Sequence, residues 1–167
     1  MPERFEVAFD RPDGPMRVAG LFNFEDSAED LTLPLPPGRW HAVELWDERY
    51  LGAFEGRIDF PLVAPHACRV IALRPVADAP ALLATTAHIG MGALDVESSE
   101  YDGAAQTLRI GLTPAGRARR RVFFATGGLR AREARLGRQR LAIDGGEGMG
   151  SVELSIDAAS ELEVEFE

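Results

Sequence analysis

The sequence predicts an all-β fold, built as two small antiparallel β-sandwiches in tandem. Three observations lead to this prediction. Apolar and polar residues alternate with period two in several segments, turn-forming residues separate these segments, and a single segment has a helix-like pattern. Many short strands joined by tight turns are typical of sandwiches of the immunoglobulin-like or jelly-roll-like kind.

The clearest strand pattern lies at the carboxyl end of the chain. In residues 161–167 the apolar side chains Leu162, Val164 and Phe166 share one face of a half-buried strand. The same alternation recurs at Val152, Leu154 and Ile156, at Ile58, Phe60 and Leu62, and from Trp40 to Trp46. Turn signals between such runs are Pro12-Asp13-Gly14, Pro36-Pro37-Gly38, Gly56, Asp102-Gly103, Gly137 and Asp144-Gly145-Gly146.

The helix-like segment is residues 130–140. Gly137 interrupts it and no capping residue precedes it, so a hairpin about Gly137 is favoured, with a short helix as the alternative. Two prolines and several small residues in 74–80 indicate a domain boundary. We therefore expect one sandwich in residues 1–76 and a second small antiparallel β-domain in 77–167.

Length and composition exclude several classes of protein. The chain has 167 residues and a mass of 18.2 kDa, too short for a catalytic (β/α)₈ barrel of about 250 residues. It contains no lysine, which excludes Schiff-base and P-loop lysine chemistry, and its one cysteine cannot form an intramolecular disulfide. The amino terminus lacks an apolar signal region and no apolar run is long enough to span a membrane. We expect a cytoplasmic protein without cofactors that does not bind membranes.

Charge is distributed unevenly along the chain. The net charge of −9 argues against binding to nucleic acid or an acidic membrane. Residues 117–140 nevertheless carry nine arginines and one acid, whereas 141–167 carry eight acids and no arginine. One interpretation is a patch that binds an anion or nucleic acid. The favoured one is cross-strand pairing of arginines with the following glutamates, within the chain or with a second copy in a homodimer.

Catalytic and metal-binding motifs are not recognisable. The glycine-rich segment 145–150 lacks the spacing of a phosphate loop and is predicted to be mobile. The three histidines lack metal-ligand spacing, so no metal site is predicted. Cys68 beside His66 could be drawn as a nucleophile and base, but a buried core thiol is favoured. Acid pairs such as Asp47-Glu48 fall in presumed turns, and we predict no catalytic residue.

Aromatic residues are the best candidates for binding. Trp40, Trp46, Tyr50 and Phe54 crowd a short stretch, and exposed aromatic faces stack on sugar rings. Trp40, Trp46 and Tyr50 are therefore candidate carbohydrate-binding residues. The alternative, which we favour for the two tryptophans, is that they fill the core of a small domain, because they fall on the same alternation face.

Four short stretches follow one another in an order shared with a known family. They are Ala19-Gly20-Leu21-Phe22-Asn23-Phe24, then 31–38 with Leu31-Thr32-Leu33-Pro34-Leu35 and Pro37-Gly38, then 43–52, then Pro65-His66-Ala67-Cys68 with the run to Pro75. This order resembles the C-terminal β-sandwich behind the catalytic barrel of α-galactosidase-type and related α-glycoside hydrolases. Residues 82–92 resemble the start of a second small β-domain found in some of these enzymes. The resemblance covers about residues 17–115 of the chain.

The resemblance implies a role beside a catalytic barrel. Enzymes of this family are retaining glycosidases whose two aspartates lie on barrel strands, with a lysine two residues before the nucleophile. Because this chain has neither the barrel nor a lysine, no catalytic residue transfers to it. The expected function is a non-catalytic accessory region that packs on a catalytic barrel domain or subunit, in cis or in trans. The alternatives are an independent carbohydrate-binding module and, least favoured, a hydrolase built on the sandwich itself.

Overall fold

A computed structural model describes residues 3–146 and 148–167. These residues form strands without any helix, with about two thirds of them in strands, and every recorded strand pair is antiparallel. The predicted all-β fold is confirmed. The strands are β1 (Arg4–Arg11), β2 (Gly14–Phe22), β3 (Glu29–Glu44), β4 (Arg49–Val63), β5 (Cys68–Pro75), β6 (Ala81–Thr85), β7 (Val96–Asp102), β8 (Thr107–Leu112), β9 (Arg119–Ala125), β10 (Ala131–Leu136), β11 (Gln139–Leu141), β12 (Ile143–Gly146), β13 (Met149–Ser155) and β14 (Ser160–Phe166).

The chain divides into two compact units. Unit 1 comprises the described residues up to Asp10 together with Pro15–Val76, and unit 2 comprises Arg11–Gly14 and Ala77–Glu167. Unit 1 contains one hydrogen-bonded sheet in the order β1-β2-β5-β3-β4. Unit 2 contains two sheets, β11-β10-β14-β8-β7 and β12-β13-β9-β6.

The long β3–β4 ribbon gives unit 1 its core. Pairing is interrupted between Pro34 and Arg39, where the chain contains two prolines that cannot donate to a ladder. The half of the ribbon before the interruption contributes Leu33 and Ile58 to the core, and the half after it contributes Trp40. Since both halves share one core with β2 and β5, the ribbon bends at the interruption and covers a face of its own sheet.

Asn23 fastens two loops of unit 1 together. Its buried side-chain amide donates to the backbone carbonyls of Ser27, Val63 and Ala64 at 2.8–3.0 Å. Its Oδ1 accepts a bond of 2.9 Å from the Glu25 backbone N–H. The connection between β2 and β3 is thereby tied to the connection between β4 and β5, in a region where backbone groups would otherwise be unpaired.

The alternation predicted around residue 60 is correct at one position and wrong at another. Ile58 is buried, as predicted, but Leu62 is 75 % exposed. The backbone of Leu62 has a positive φ of 51°, which breaks the extended geometry on which alternation depends. Its N–H instead donates to the Asp30 carboxylate at 2.8 Å.

Unit 2 is a sandwich of its two sheets. Leu162, Val164 and Phe166 face the core, as their alternation predicts. The Phe124 ring meets the Phe166 ring edge to face, with ring centres 6.1 Å apart. The other buried members of this core come from both sheets: Leu82, Val96, Leu108, Ile110, Leu112, Val122, Ala134, Val152, Leu154 and Ile156.

The arginine-rich segment forms strands that lie beside glutamate-bearing strands. Arg121 is opposite Glu153 between β9 and β13, and Arg135 is opposite Glu163 between β10 and β14. Residues 131–141 form a hairpin in which Gly137 has a φ of +58°. Cross-strand pairing within the chain and the hairpin at Gly137 are therefore both confirmed, and the helix alternative is wrong. The predicted mobile loop 145–150 includes Glu147, which lies outside the described residues, while residues on either side belong to β12 and β13.

One arginine of this segment points inward. The Arg120 side chain is completely buried and donates to the carbonyls of Thr113, Ala115 and Arg117 at 2.8–3.2 Å. It also pairs with the buried Asp95 carboxylate at 3.4 Å. Asp95 in turn accepts from the Thr85 hydroxyl and from the Gly92 N–H. The loop before β7 and the loop before β9 are thus fixed to the same two charged side chains.

Replacing Arg120 tests this network. Arg120→Met should lower the free energy of unfolding by about 3–5 kcal/mol, because it leaves the buried Asp95 carboxylate without its cation. Urea unfolding followed by circular dichroism measures the change. Arg138→Met, at an exposed position of the β10–β11 hairpin, is the matched control and should stay within about 0.5 kcal/mol of the parent chain. Equal stability of the two variants would contradict a dependence of unit 2 on Arg120.

Candidate functional site

The two tryptophans lie in different environments. Trp40 on β3 is buried in the core of unit 1, so the core interpretation is correct for it. Trp46 is 48 % exposed, so the core interpretation is wrong for this residue. The reason is that β3 ends at Glu44 and the alternation does not reach Trp46, which lies in the turn before β4.

The turn that presents Trp46 is anchored on both sides. Leu45 is buried and its N–H donates to the Val70 carbonyl at 2.9 Å. Asp47 accepts a bond from the Arg69 guanidinium at 3.1 Å. Glu48 has a positive φ of 47° and closes the turn through its N–H to the Leu45 carbonyl. An exposed indole is thereby held on a fixed turn with a charged pair in the same corner of the unit.

Below this turn lies a buried carboxylate with one unpaired oxygen. The Glu44 side chain is 1 % exposed and its Oε2 accepts a bond of 2.6 Å from the Asp47 N–H. Its Oε1 has no hydrogen-bond partner, and the Arg69 guanidinium lies 3.9 Å away. Burial raises the pKa of the Glu44 carboxyl above its usual value, against the opposing effects of the Asp47 N–H and Arg69.

Tyr50 is engaged by a histidine. Its hydroxyl lies 2.8 Å from Nδ1 of His41, and the His41 side chain is largely buried. Burial lowers the pKa of His41, with a further lowering by the Arg39 charge, and burial raises the pKa of Tyr50. Both groups are therefore neutral near pH 7. Because Trp40 and His41 are adjacent on one strand, Trp40 and the His41–Tyr50 pair lie on opposite faces of the sheet.

The structure therefore does not bring Trp40, Trp46 and Tyr50 onto one surface. Trp40 is internal, Tyr50 is half-buried on the other face, and Trp46 remains as the exposed ring of the three. Its neighbour Asp47 pairs with Arg69 of β5, a pairing that the sequence does not reveal because the two residues are 22 positions apart.

Cys68 differs from the expectation of a buried core thiol. Cys68 is a free, half-buried thiol rather than a core residue, because it stands at the first position of β5. His66 is exposed and its Nε2 pairs with Asp26 at 3.0 Å. Within residues 3–146 and 148–167, no group of three or more histidine, cysteine, aspartate or glutamate side chains could hold a metal ion.

A second aromatic feature was not singled out by the sequence. The aromatic patch consists of Phe5, Phe22 and Phe24. Phe5 meets Phe22 edge to face at 5.6 Å, and Phe22 and Phe24 stack at 5.8 Å with ring planes 8° apart. Phe5 is 52 % and Phe24 is 39 % exposed. Phe22 and Phe24 are close in sequence, but Phe5 joins them only because β1 lies beside β2 in the sheet.

Unit 2 also contains a groove. It has a volume of 560 Å³ and is lined mainly by glycine backbone and a few apolar side chains, together with Arg130, which pairs with Glu167 at 3.3 Å. Its lining includes residues on both sides of Glu147, which lies outside the described part of the chain. The groove gathers no set of polar groups that would orient a ligand.

Comparison with known proteins adds no family. The chain matches no protein-family model, and no curated protein is significantly similar to it. Among the described residues no helix has the length and apolar character needed to cross a membrane.

The raised pKa of Glu44 predicts a pH-dependent effect of Glu44→Gln. Where the folded value lies above the unfolded one, the folded chain binds more protons than the unfolded chain, so the parent loses stability as pH rises through the folded value. The neutral amide avoids this loss. The stability of Glu44→Gln relative to the parent should therefore increase as the pH rises from the usual glutamate pKa value of 4.5 through the folded value, measured by urea unfolding. Glu55→Gln, at an exposed position of β4, is the control and should show no such trend; a parallel trend in both variants would contradict the assignment.

Proposed function

We propose that the chain is a non-catalytic accessory region of an α-galactosidase-like glycoside hydrolase, which packs on a catalytic barrel in cis or in trans. The observation that carries the proposal is the coincidence between the family-like stretches and the residues that hold unit 1 together. Asn23, which fastens two loops, lies in the first stretch, and Leu45, which anchors the Trp46 turn, lies in the third. The fourth stretch contains β5, whose residues Val70–Arg74 are all buried.

At these positions, few other side chains would fit a β-sandwich of this kind. Asn23 satisfies three carbonyls and one N–H that lie on two different loops. A residue with another side chain would leave some of these groups unpaired. We therefore expect two chains that share this loop arrangement to have similar short sequence stretches in the same order. This supports a resemblance in both fold and role.

A supporting role also agrees with how the charged groups are used. In unit 2 the arginines and carboxylates of neighbouring strands neutralise one another, as in Arg119 with Glu153 and Arg109 with Glu163. In unit 1 Glu44 is buried beneath a turn. The two aspartates that the resemblance implies for bond cleavage would belong to the barrel. The accessory region would cover an apolar flank of that barrel, through an interface of the size usual between domains.

A second candidate, an independent carbohydrate-binding module, is favoured by one observation. Trp46 exposes about half of its side chain on an anchored turn, and its sequence neighbour Asp47 pairs with Arg69. An indole face stacks on the apolar face of a sugar ring, while a carboxylate and a guanidinium bond to its hydroxyl groups.

Association with a barrel tests the first proposal. The chain is mixed with an α-glycosidase barrel protein from the same genome, and complex formation is measured by sedimentation and by calorimetry. We expect a stable one-to-one complex, or a gain in hydrolysis of nitrophenyl α-galactoside by the barrel. Hydrolysis by the chain alone would contradict the non-catalytic role, and absence of both complex and gain would leave the binding-module hypothesis ahead.

Tryptophan fluorescence tests the second candidate. In Trp40→Phe the remaining indole is Trp46, so a bound sugar should quench its emission saturably. Titration with galactose-containing and glucose-containing oligosaccharides measures the effect. The reciprocal variant Trp46→Phe should show no quench, since Trp40 is buried. A flat titration of Trp40→Phe would exclude sugar stacking at Trp46.

A further inference from the structure

The aromatic patch is an exposed apolar surface at the edge of a sheet. β1 is an edge strand of the unit 1 sheet, and its residues Phe5 and Val7 are both more than half exposed. Neighbouring Phe22 and Phe24 continue the same surface through ring contacts. Scattered apolar residues are normal on a protein surface, but a contiguous aromatic surface on an edge strand is a typical protein contact.

The rings of the patch are packed against one another and against the backbone. The Phe22 ring lies across Gly20, where an added Cβ would be 2.8 Å from the ring carbon Cε2. Gly20 therefore leaves the space in which this ring is held, and the ring in turn supports Phe5 at its edge and Phe24 on its face. A surface whose side chains are already ordered loses little conformational entropy when a partner covers it.

The patch is bordered by carboxylates. Phe22 and Phe24 line a groove of 290 Å³ together with Glu3, Glu25, Glu29, Asp30, Asn23 and Leu31. Over residues 3–30 the sequence has eight acids and three arginines. Two of these arginines pair elsewhere, Arg17 with Glu6 and Arg11 with Asp13.

Within residues 3–146 and 148–167, the border carboxylates are not paired with a cation. No ion pair to Glu3, Glu25, Glu29 or Asp30 is found among the residues that the structure describes. Glu29 accepts from the Ser27 hydroxyl and Asp30 from the Leu62 N–H, which are neutral donors. The contrast with unit 2 is direct, because there Glu133 is bonded by both Arg135 and Arg140. Four carboxylates around one groove repel one another until a cation approaches.

The aromatic rings and carboxylates of this surface indicate what kind of partner would bind it. A guanidinium can stack on a phenylalanine face and bond to a carboxylate at the same time, and arginine is enriched in protein interfaces for these reasons. The patch spans two strands, which is more than a small cation would cover. A second copy of this chain is disfavoured, since each copy carries a net charge of −9 and two copies repel one another.

We propose that the aromatic patch and its carboxylate border form the docking face of unit 1, and that the catalytic barrel contacts it through arginine or lysine side chains set around an apolar centre. This inference rests on the proposed accessory function and specifies its interface. Phe5 and Phe24 supply the apolar centre, and Glu25 and Glu29 supply the opposite charge.

The test measures the affinity of the α-glycosidase barrel for variants of the full chain by biolayer interferometry. Phe5→Ser with Phe24→Ser should weaken binding at least tenfold, as expected for aromatic residues at the centre of an interface. Glu25→Gln with Glu29→Gln should weaken binding several-fold in 50 mM salt and reduce its salt dependence. The matched controls are Ile89→Ser with Leu94→Ser, two exposed apolar residues of unit 2, and Glu97→Gln with Glu100→Gln, two exposed acids.

Each outcome decides between the hypotheses. If the parent chain does not bind the barrel, the accessory function fails and this interface fails with it. If the parent binds and the patch variants bind equally well, the docking face is elsewhere and the accessory function stands. If the parent forms a dimer that the patch variants dissolve, the face joins two copies of the chain and the proposal is overturned. Circular dichroism of every variant separates lost contacts from lost folding.

Discussion

The buried pair of Arg120 and Asp95 is the interaction on which unit 2 depends. Two opposite charges are removed from water, and this is tolerated because nearly every remaining polar position around them is filled by loop carbonyls, a hydroxyl and an N–H. The pair acts where the strands end, so it orders connections that hydrophobic packing between the sheets cannot order. The desolvation free energy of the two charges and the stabilisation from their contacts are both large. We therefore expect a truncation there to lower the free energy of unfolding more than a truncation at a surface pair.

The two units treat charge differently. In unit 2, arginines pair with glutamates on adjacent strands. Glu133 lies between two guanidiniums, and its pKa is lowered to about 2 by Arg140 and Arg135. In the described part of unit 1, four carboxylates that form no ion pair line a groove beside the aromatic patch. This difference favours a partner that approaches unit 1 with positive charge.

The functional proposal and the interface proposal rely on different evidence. The accessory role follows from an order of short stretches whose residues occupy constrained positions, such as Asn23. The proposed docking face rests on exposure, on ring contacts and on carboxylates that form no ion pair among the described residues. The accessory role would stand even if the barrel contacted another face of unit 1, so separate experiments test the role and the docking face. Trp46 remains a third surface with its own chemistry, on the turn between β3 and β4.

Sequence alone determined the all-β fold, the hairpin at Gly137, the buried face of the last strand and the pairing of arginine with glutamate strands. These features depend on period-two alternation, on glycine backbone freedom and on charges that lie close in sequence. Tertiary structure decided the rest: that Arg120 turns inward, that Trp40 is buried while Trp46 is exposed, and that Phe5, Phe22 and Phe24 meet. Each of these depends on where a strand ends or on which strands become neighbours, and neither is encoded in the local pattern of residues.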